Sequence, residues 1–285
     1  MAPVLGYWYF RELAQPNRLL LAYTETEFED KMYDCGPGPK FDRSCWTDVK
    51  PTLGLPFPNL PYYVDGDLKL TQSNTIIRYL GRKHGLAAKT EAEQIREDIL
   101  VDQSFDIRMG FAMTCYAFGK TYEEFERMKE GYLKELPSKL GAFAEFLGDK
   151  KWFTGKNLNF VDFIIYELLD VHVELEPTCL DELKTLQAFK LRFEALPTIK
   201  KYMASDEVHK GSPQRQDGEV WQPVDLWEIT NSNFDKLWII THRPESVTFI
   251  ATILNGLRDK RSELSLERLF KWKIILIFIF IFIFA

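Results

Sequence analysis

Alternating apolar and polar residues give the first indication of the fold. The alternation at residues 28–33 predicts a half-buried strand, and the apolar run at residues 4–9 predicts an earlier one. Between these strands, Pro16 suits the first turn of a helix whose apolar positions continue to Tyr23. The order β-α-β is therefore predicted for this part of the chain.

Residues 57–80 predict a hairpin that leads into a helix. A short apolar run begins after Pro61, and Asp65-Gly66-Asp67 supplies the glycine that a tight turn with positive φ favours. After Thr71 the apolar period changes from two to 3.6, as expected where a strand ends and a helix begins. A cis peptide bond is expected before Pro61, which would turn the backbone of Leu60 outward.

Gln72 and Ser73 lie at the predicted junction between strand and helix. Free backbone N–H groups and the positive end of the helix dipole meet at such a junction, and both favour a bound carboxylate. The same strand-turn-strand-helix unit also fits a purely structural role, and the two interpretations stay open at this point.

The rest of the chain has a helical pattern as far as residue 203. Long apolar-periodic stretches predict helices at residues 91–116 and 122–147, with further helical signals at residues 180–203. Asn159 suits the N-cap of another helix, and Asp162 can bond back to it. We predict an α/β domain at residues 1–85, with β-α-β, a loop and β-β-α as in the thioredoxin fold, followed by an all-α domain at residues 91–208.

The sequence changes character after about residue 205. Residues 209–285 begin polar and rich in helix breakers, and they end in an Ile/Phe alternation at residues 274–285. Twelve apolar residues are too few for a helix that crosses ~30 Å of hydrocarbon, which needs about 20. A strand or aggregation-prone segment, a tail anchor and a translated non-coding repeat remain open. We expect an atypical tail that is disordered or a gene-model artefact.

Composition, net charge and cysteine spacing exclude several classes of partner and site. The chain has 285 residues, of which 46% are hydrophobic and 27% charged, so it has ample material for a core. A net charge of −6 argues against nucleic acid or an anionic membrane as a partner. Four widely spaced cysteines form no metal-binding pattern, and the first residues lack a secretory signal. We expect a cytoplasmic protein with free thiols and no bound metal.

Four stretches resemble the mu class of glutathione S-transferases over about residues 1–205. They are LGYW at residues 5–8, FDRSCW at 41–46, LGLPFPNLPY at 53–62 and TQSN at 71–74. The breaker-rich loop before Arg43 is similar to the loop specific to the mu class, and KKWFTG and NFVDF are similar to the helical domain of the family. The resemblance implies the thioredoxin-like and helical domains predicted above.

The resemblance also implies a glutathione site. Tyr7 would donate a hydrogen bond to the glutathione sulfur and act as the catalytic residue. Gln72 and Ser73 would bind the γ-glutamyl carboxylate, while Asn59 and the Leu60 backbone would hold the cysteinyl part. Further glutathione-binding residues implied by the resemblance are Trp8, Leu13, Arg43, Trp46, Lys50 and, from the other subunit, Asp106.

Four further positions can be compared with the family through the same resemblance. Met109 and Tyr116 are similar to residues of the electrophile site, although a methionine and an aromatic residue at helical spacing also suit a core. Phe57 is similar to the aromatic key that inserts into the partner subunit of a homodimer. At position 12 the family usually has glycine, whereas this chain has Glu12.

The leading hypothesis is therefore an enzyme of detoxification that conjugates glutathione to small hydrophobic electrophiles, with glutathione as co-substrate and no other cofactor. A catalytically weak protein of the same fold, which binds hydrophobic ligands or serves structurally, is the alternative. A thiol-disulfide oxidoreductase is disfavoured because no cysteine lies near Tyr7 in the sequence.

Overall fold

The first elements of the computed structural model follow the predicted order β-α-β. The structure describes residues 2–34, 42–115 and 122–205, and the side chains of residues 122 and 123 are left out. Pro16 lies in the first turn of the first helix, as expected. The elements are β1 Val4–Trp8, a 3-10 helix Glu12–Ala14, α1 Gln15–Tyr23 and β2 Glu29–Tyr33.

The predicted hairpin and the helix after it are also present. Gly66 has φ 60° at the turn, a backbone conformation that glycine adopts at little cost. Before the hairpin, two short helices lie in the connection from β2. The elements are α2 Ser44–Thr47, a 3-10 helix Lys50–Thr52, β3 Tyr62–Asp65, β4 Leu68–Thr71 and α3 Ser73–Lys83.

The four strands form one mixed sheet with the order β2-β1-β3-β4. β1 runs parallel to β2 and antiparallel to β3, which pairs antiparallel with β4. Gly6 lies opposite Tyr62, and a Cβ atom at Gly6 would come within 2.1 Å of the Tyr62 ring. Glycine is therefore required in β1 for the close approach of this ring.

In the described residues after α3, which are 84–115 and 122–205, the regular elements are helices, apart from one isolated bridge between Trp152 and Gly155. The predicted capping box is confirmed, because Val161 N–H donates to Asn159 Oδ1 and Asn159 N–H donates to Asp162 Oδ2. The helices are α4 Glu91–Cys115, α5 Tyr122–Leu147, α6 Phe160–Leu175, α7 Lys184–Glu194 and α8 Pro197–Met203.

Helix α6 joins the two halves of the fold. It packs against α1 and α3 on one side and against α4 and α7 on the other. Phe163 contacts Tyr23 of α1 and Phe193 of α7, with ring centroids 5.6 Å and 5.1 Å apart. A position on α6 can therefore hold a group of the α/β half and a group of the helical half at the same time.

Several expectations fall outside the described residues. They are the loop at residues 35–41, the electrophile-site residue Tyr116, and the tail at residues 209–285. Among the residues that the structure describes, no helix has both the length and the apolar character needed to cross a membrane.

Candidate active site

The sheet register brings three parts of the predicted site to one end of the sheet. Gly6 pairs with Tyr62, and Tyr62 pairs with Thr71. The same register, continued by one residue beyond these pairs, places Pro61 between Tyr7 and Gln72. The predicted thiol-binding, cysteinyl-binding and carboxylate-binding positions therefore lie at the same end of the sheet.

Tyr7 is fixed by packing before any ligand binds. Its side chain is only 4% exposed, and its ring lies 5.3 Å from that of Phe10 in an edge-on arrangement. The Arg18 guanidinium carbon lies 6.0 Å from the centre of the Tyr7 ring. A ring held on two sides cannot change rotamer freely, so the hydroxyl direction is set by the fold.

The Leu13 backbone N–H faces the Tyr7 hydroxyl and acts to lower the pKa of Tyr7. Burial raises the pKa of Tyr7 well above its ordinary value, and the charge of Glu12 raises it further. The Leu13 N–H and the charges of Arg108 and Arg18 oppose this shift without cancelling it. Tyr7 therefore keeps its proton at neutral pH, and that proton remains available for donation to a ligand.

The predicted carboxylate site lies at the N-terminus of α3. Ser73 is the first residue of this eleven-residue helix, and Gln72 precedes it as the N-cap without a side-chain capping bond. The Gln72 side chain is exposed and Ser73 is half-buried. Gln72 has φ 71°, a conformation that is costly for a residue other than glycine. The first N–H groups of α3 and both side chains are positioned to receive an anion.

The peptide bond between Leu60 and Pro61 is cis, as predicted. The Leu60 N–H donates to Oδ1 of Asn59 over 2.8 Å, so this donor already has a partner. A ligand strand at this position would therefore pair with the Leu60 carbonyl unless the Asn59 side chain moved away. Asn59 itself is half-buried beside this edge.

Trp46 is held in the core next to the sheet. It is buried and stacks on Tyr62 with a centroid distance of 6.0 Å and an angle of 16°. Only a small part of the indole is therefore open to a ligand. Lys50 is half-buried and Arg43 is exposed on the same connection, so both offer a positive charge to solvent.

Four predicted site residues lie on β1, the segment that follows it, and α4. Trp8 and Leu13, predicted to bind glutathione, and Met109, predicted for the electrophile site, are half-buried, whereas Asp106, predicted to reach glutathione in the other subunit, is exposed. A pocket opens between the segment after β1, α4 and α6, and it is lined by Glu12, Arg108, Phe111, Glu167, Leu168, Val171 and His172 rather than by Met109. Arg108 and Phe111 were not predicted as site residues.

Arg11 is another residue that the sequence did not single out. Its guanidinium group is buried against three carboxylates of α6, more than 150 residues away in sequence. An arginine in a loop normally indicates a solvated side chain, and no local pattern marks such distant partners. Only the structure shows that this loop is tied to the helical half.

Comparison with known proteins shows what these features belong to. The family model described as the glutathione S-transferase N-terminal domain matches residues 3–82, and the one for the C-terminal domain matches residues 105–206. The chain belongs to the glutathione S-transferase family. This transferase is 49% identical to glutathione S-transferase Mu 1 of Bos taurus over 211 residues, which cover 74% of this chain and 94% of that protein.

Other relatives agree with the mu class. Glutathione S-transferase Mu 2 of Rattus norvegicus is 50% identical over 205 residues, which cover 72% of this chain and 92% of the relative. Among solved structures, glutathione S-transferase Blo t 8 is 33% identical with a TM-score of 0.68, and the match covers 77% of this chain and 100% of that one. A pi-class transferase of Onchocerca volvulus is 27% identical with a TM-score of 0.65, at the same coverage.

Glu12 has an unusual backbone conformation in the loop after β1. Its φ is 37°, and the resemblance to the mu class implies glycine at this position. Glycine enters the left-handed region at little cost, whereas another L-residue is disfavoured there by about 1–2 kcal/mol. The loop therefore keeps the backbone shape that glycine allows, and it adds a carboxylate beside the active-site tyrosine.

Proposed function

We propose that the chain conjugates the thiol of glutathione to small hydrophobic electrophiles in a reaction of detoxification. The observation that carries the proposal is the buried Tyr7, whose raised pKa keeps its hydroxyl proton available for donation. The similarity to mu-class transferases, which extends over more than nine-tenths of their length, supports the same reaction. The alternative of a catalytically weak binding protein is not favoured, because the thiol-activating tyrosine is present and supported.

Thiol activation is the step that Tyr7 would perform. A free thiol has a pKa near ~8.5, so only a few per cent is thiolate at neutral pH. Lowering this pKa by roughly two units requires about 2.7 kcal/mol of preferential stabilisation of the thiolate. One hydrogen bond from a neutral hydroxyl to an anion contributes about 1.5–3 kcal/mol, so Tyr7 can supply most of it.

The raised pKa of Tyr7 decides its role in this step. A tyrosine that resists ionisation stays a donor and cannot serve as the base that removes the thiol proton. The thiol proton therefore leaves to solvent, and the thiolate attacks the electrophile while Tyr7 keeps donating to the sulfur. The protein contributes positioning and charge stabilisation, and glutathione needs no further cofactor.

The remaining site residues would hold the tripeptide. The N-terminus of α3, with Gln72 and Ser73, would bind the γ-glutamyl carboxylate, and the Leu60 carbonyl and Asn59 would bind the cysteinyl part. Glycyl-carboxylate contacts would come from Arg43, Lys50 and the open edge of Trp46. Trp8 and Leu13 would line the wall of the glutathione site, and Met109 and Tyr116 would line the electrophile side.

We also propose a homodimer in the cytoplasm. Asp106 is exposed on α4, where it would reach the γ-glutamyl amine bound to the partner subunit. Phe57 is 86% exposed and would insert into the partner. The cysteines that the structure describes, Cys45, Cys115 and Cys179, are free thiols, which suits a reducing compartment.

Substitution of Tyr7 by phenylalanine tests the proposed function. Tyr7→Phe keeps the ring packing and removes the donor, so turnover of a chloronitroarene at pH 7 should fall by about one to two decades. The KM for glutathione should change far less, because the groups that hold the tripeptide remain. The titration of the bound thiol, followed by thiolate absorbance, should move up towards that of free glutathione.

Two results would contradict the proposal. A wild-type chain that binds glutathione without turnover would favour the binding protein. A Tyr7→Phe variant with unchanged turnover and thiol titration would show that another group activates the thiol.

A further inference from the structure

Arg11 makes a set of contacts that the proposed chemistry does not use directly. It is 5% exposed, and it lies between β1 and the 3-10 helix that carries Leu13. Its Nη1 donates to Glu174 over 2.7 Å and its Nη2 donates to Glu167 over 2.6 Å, with a further bond to Asp170. One guanidinium group thus binds three carboxylates of α6.

The three carboxylates form a preorganised receptor for this group. Their spacing of three and four residues places them on one face of α6. Lys190 of α7 also binds Asp170, over 3.0 Å, so the acidic cluster is itself anchored. Burial would raise the pKa of Asp170, but Arg11 and Lys190 outweigh it and hold that pKa below its usual range. A planar fork that binds several carboxylates fixes direction as well as distance.

The backbone of Arg11 is held as firmly as its side chain. Its carbonyl accepts from Gln15 N–H over 3.2 Å and from Arg18 Nη1 over 3.4 Å. Arg18 in turn binds Asp30 of β2 over 2.8 Å. The loop is therefore fixed immediately before residue 12, where the chain enters the left-handed region.

The conformation of Glu12 needs such an anchor. A residue other than glycine keeps a positive φ only where the surrounding structure determines it. The next residue is Leu13, whose N–H faces the Tyr7 hydroxyl. If the Arg11 anchor were lost, the backbone could relax at residue 12 and Leu13 N–H would move away from Tyr7.

We infer that Arg11 is a positioning residue for Tyr7: its clamp on Glu167, Asp170 and Glu174 fixes the loop whose Phe10 ring packs edge-on against the Tyr7 ring. A tyrosine whose ring is held in one orientation directs its hydroxyl proton better at a bound sulfur. Arg11 thus acts on the glutathione thiolate through the loop at Phe10 to Leu13 and through Tyr7. The inference rests on the proposed role of Tyr7 in thiol activation.

Electrostatics at the site must be separated from this positioning effect. The charged groups around Tyr7 are Glu12 from the loop, Arg18 from α1 and Arg108 from α4, and Arg11 with its three carboxylates lies behind them. Removing Arg11 alone would also add a net negative charge near the thiolate. The test therefore needs a variant in which the net charge is restored.

The test compares Arg11→Gln with Arg11→Gln/Glu174→Gln, which has the net charge of the wild type. Arg96→Gln is the matched control, because Arg96 also anchors buried backbone, donating to Phe146 O over 2.7 Å and Phe153 O over 2.8 Å. The readouts are melting temperature, the KM for glutathione, and the pH midpoint of the bound thiol from thiolate absorbance and from kcat/KM with a chloronitroarene.

Both Arg11 variants should raise the pH midpoint of the bound thiol by about half to one unit, a loss of roughly three- to tenfold in kcat/KM on the acid side. Their KM for glutathione should stay within about twofold, since the binding groups lie elsewhere. Arg96→Gln should lose melting temperature with an unchanged pH midpoint.

Two outcomes would overturn the inference. An Arg11→Gln variant that loses stability with a wild-type midpoint would make Arg11 structural only. A midpoint that returns to the wild-type value in the double variant would make the effect one of charge, not of position. Failure of the proposed function is a separate result: the wild type itself would then show no lowered thiol titration.

Discussion

Gln72 has a backbone conformation that its own side chain does not explain. It has φ 71° and ψ 114° at the N-cap of α3, and its side chain is exposed and makes no capping bond. Such a conformation costs on the order of 1–3 kcal/mol for a residue with a Cβ atom. Strain at an exposed position is typical of a binding site, where the side chain is retained for the ligand.

Replacing Gln72 by glycine should separate stability from binding. Gln72→Gly relieves the strain, and after the roughly 0.5–1 kcal/mol entropic cost of glycine the free energy of unfolding should rise by about 1 kcal/mol. The KM for glutathione should rise about tenfold or more, because a hydrogen bond to a carboxylate is lost.

Gln72→Ala is the matched control for this prediction. It removes the same amide but keeps the Cβ atom, so it should weaken glutathione binding equally without the gain in stability. The measurements are denaturant unfolding at one protein concentration and steady-state kinetics. A glycine variant that is no more stable than the alanine variant would show that residue 72 is not strained.

Single residues also mark the limit of prediction from the sequence. Gln72 and Ser73 could be placed because the strand and helix periods locate them where a strand ends and a helix begins, whereas Tyr7 was assigned from the resemblance carried by LGYW. Arg11 could not, because its partners lie more than 150 residues away and charged positions on a helix ordinarily indicate a solvated face. The positive φ of Glu12 could be suspected from the sequence only because the resemblance implies glycine at this position.

At the scale of elements, α6 shows how a buried polar group ties two helices together. His172 is fully buried on α6, with Nδ1 lying 2.6 Å from the Leu168 carbonyl and Nε2 lying 2.6 Å from the Tyr132 hydroxyl of α5. A carbonyl only accepts, so Nδ1 donates and Nε2 accepts from Tyr132. A protonated imidazole would carry a full charge at a site closed to water. Burial therefore lowers the pKa of His172 to about 4.

The lowered pKa of His172 predicts a loss of stability in acid. Below pH 6.5 His172 binds a proton in the unfolded state but not in the folded state. The free energy of unfolding therefore falls as the pH drops towards about 4. The shift corresponds to about 3 kcal/mol of stability that is present above pH 6.5 and lost below it.

His172→Gln removes this titration. Its stability deficit relative to the wild type should be largest at pH 8 and should shrink by about 3 kcal/mol at pH 4, as measured by denaturant unfolding. All other titrating groups are the same in the wild type and in His172→Gln. The difference between their free energies of unfolding therefore reports the titration of His172. A deficit that stays constant with pH would show that His172 is protonated in the folded state.

Elements were more predictable than the contacts between them. The strands, the hairpin and the capping box at Asn159 follow from periods and short-range hydrogen bonds, which the sequence carries locally. The pairing of His172 with Tyr132 depends on how α5 crosses α6, and a single buried histidine has no distinguishing pattern. The sequence also carries no sign that the ring of Trp46, which is predicted to contact glutathione, stacks on Tyr62.

Phe57 and Leu191 are the two most exposed large apolar residues in the part of the molecule that the structure describes. Phe57 is 86% exposed with φ 45° in the loop before β3, and Leu191 is 66% exposed on α7. A single exposed apolar residue is common on protein surfaces. Phe57 differs because the loop holds it outward in a strained conformation, which is expected of a residue that inserts into a partner.

Removal of the Phe57 ring should weaken the proposed homodimer. Burying a phenylalanine contributes about 1.5–3 kcal/mol, and two-fold symmetry doubles it to about 3–6 kcal/mol. The dimer dissociation constant of Phe57→Ala should therefore rise between about a hundredfold and about ten-thousandfold. Turnover per chain should fall as the protein is diluted, because each site would use Asp106 of the other subunit.

Leu191→Ala is the control variant for this prediction. It removes a similar exposed apolar side chain from α7, and it should leave the sedimentation profile and the turnover at every dilution unchanged. If Phe57→Ala also remained dimeric at nanomolar concentration with full turnover, Phe57 would be an ordinary surface residue. If it dissociated while turnover per chain stayed constant, the dimer would be real, but Asp106 would take no part in the neighbouring site.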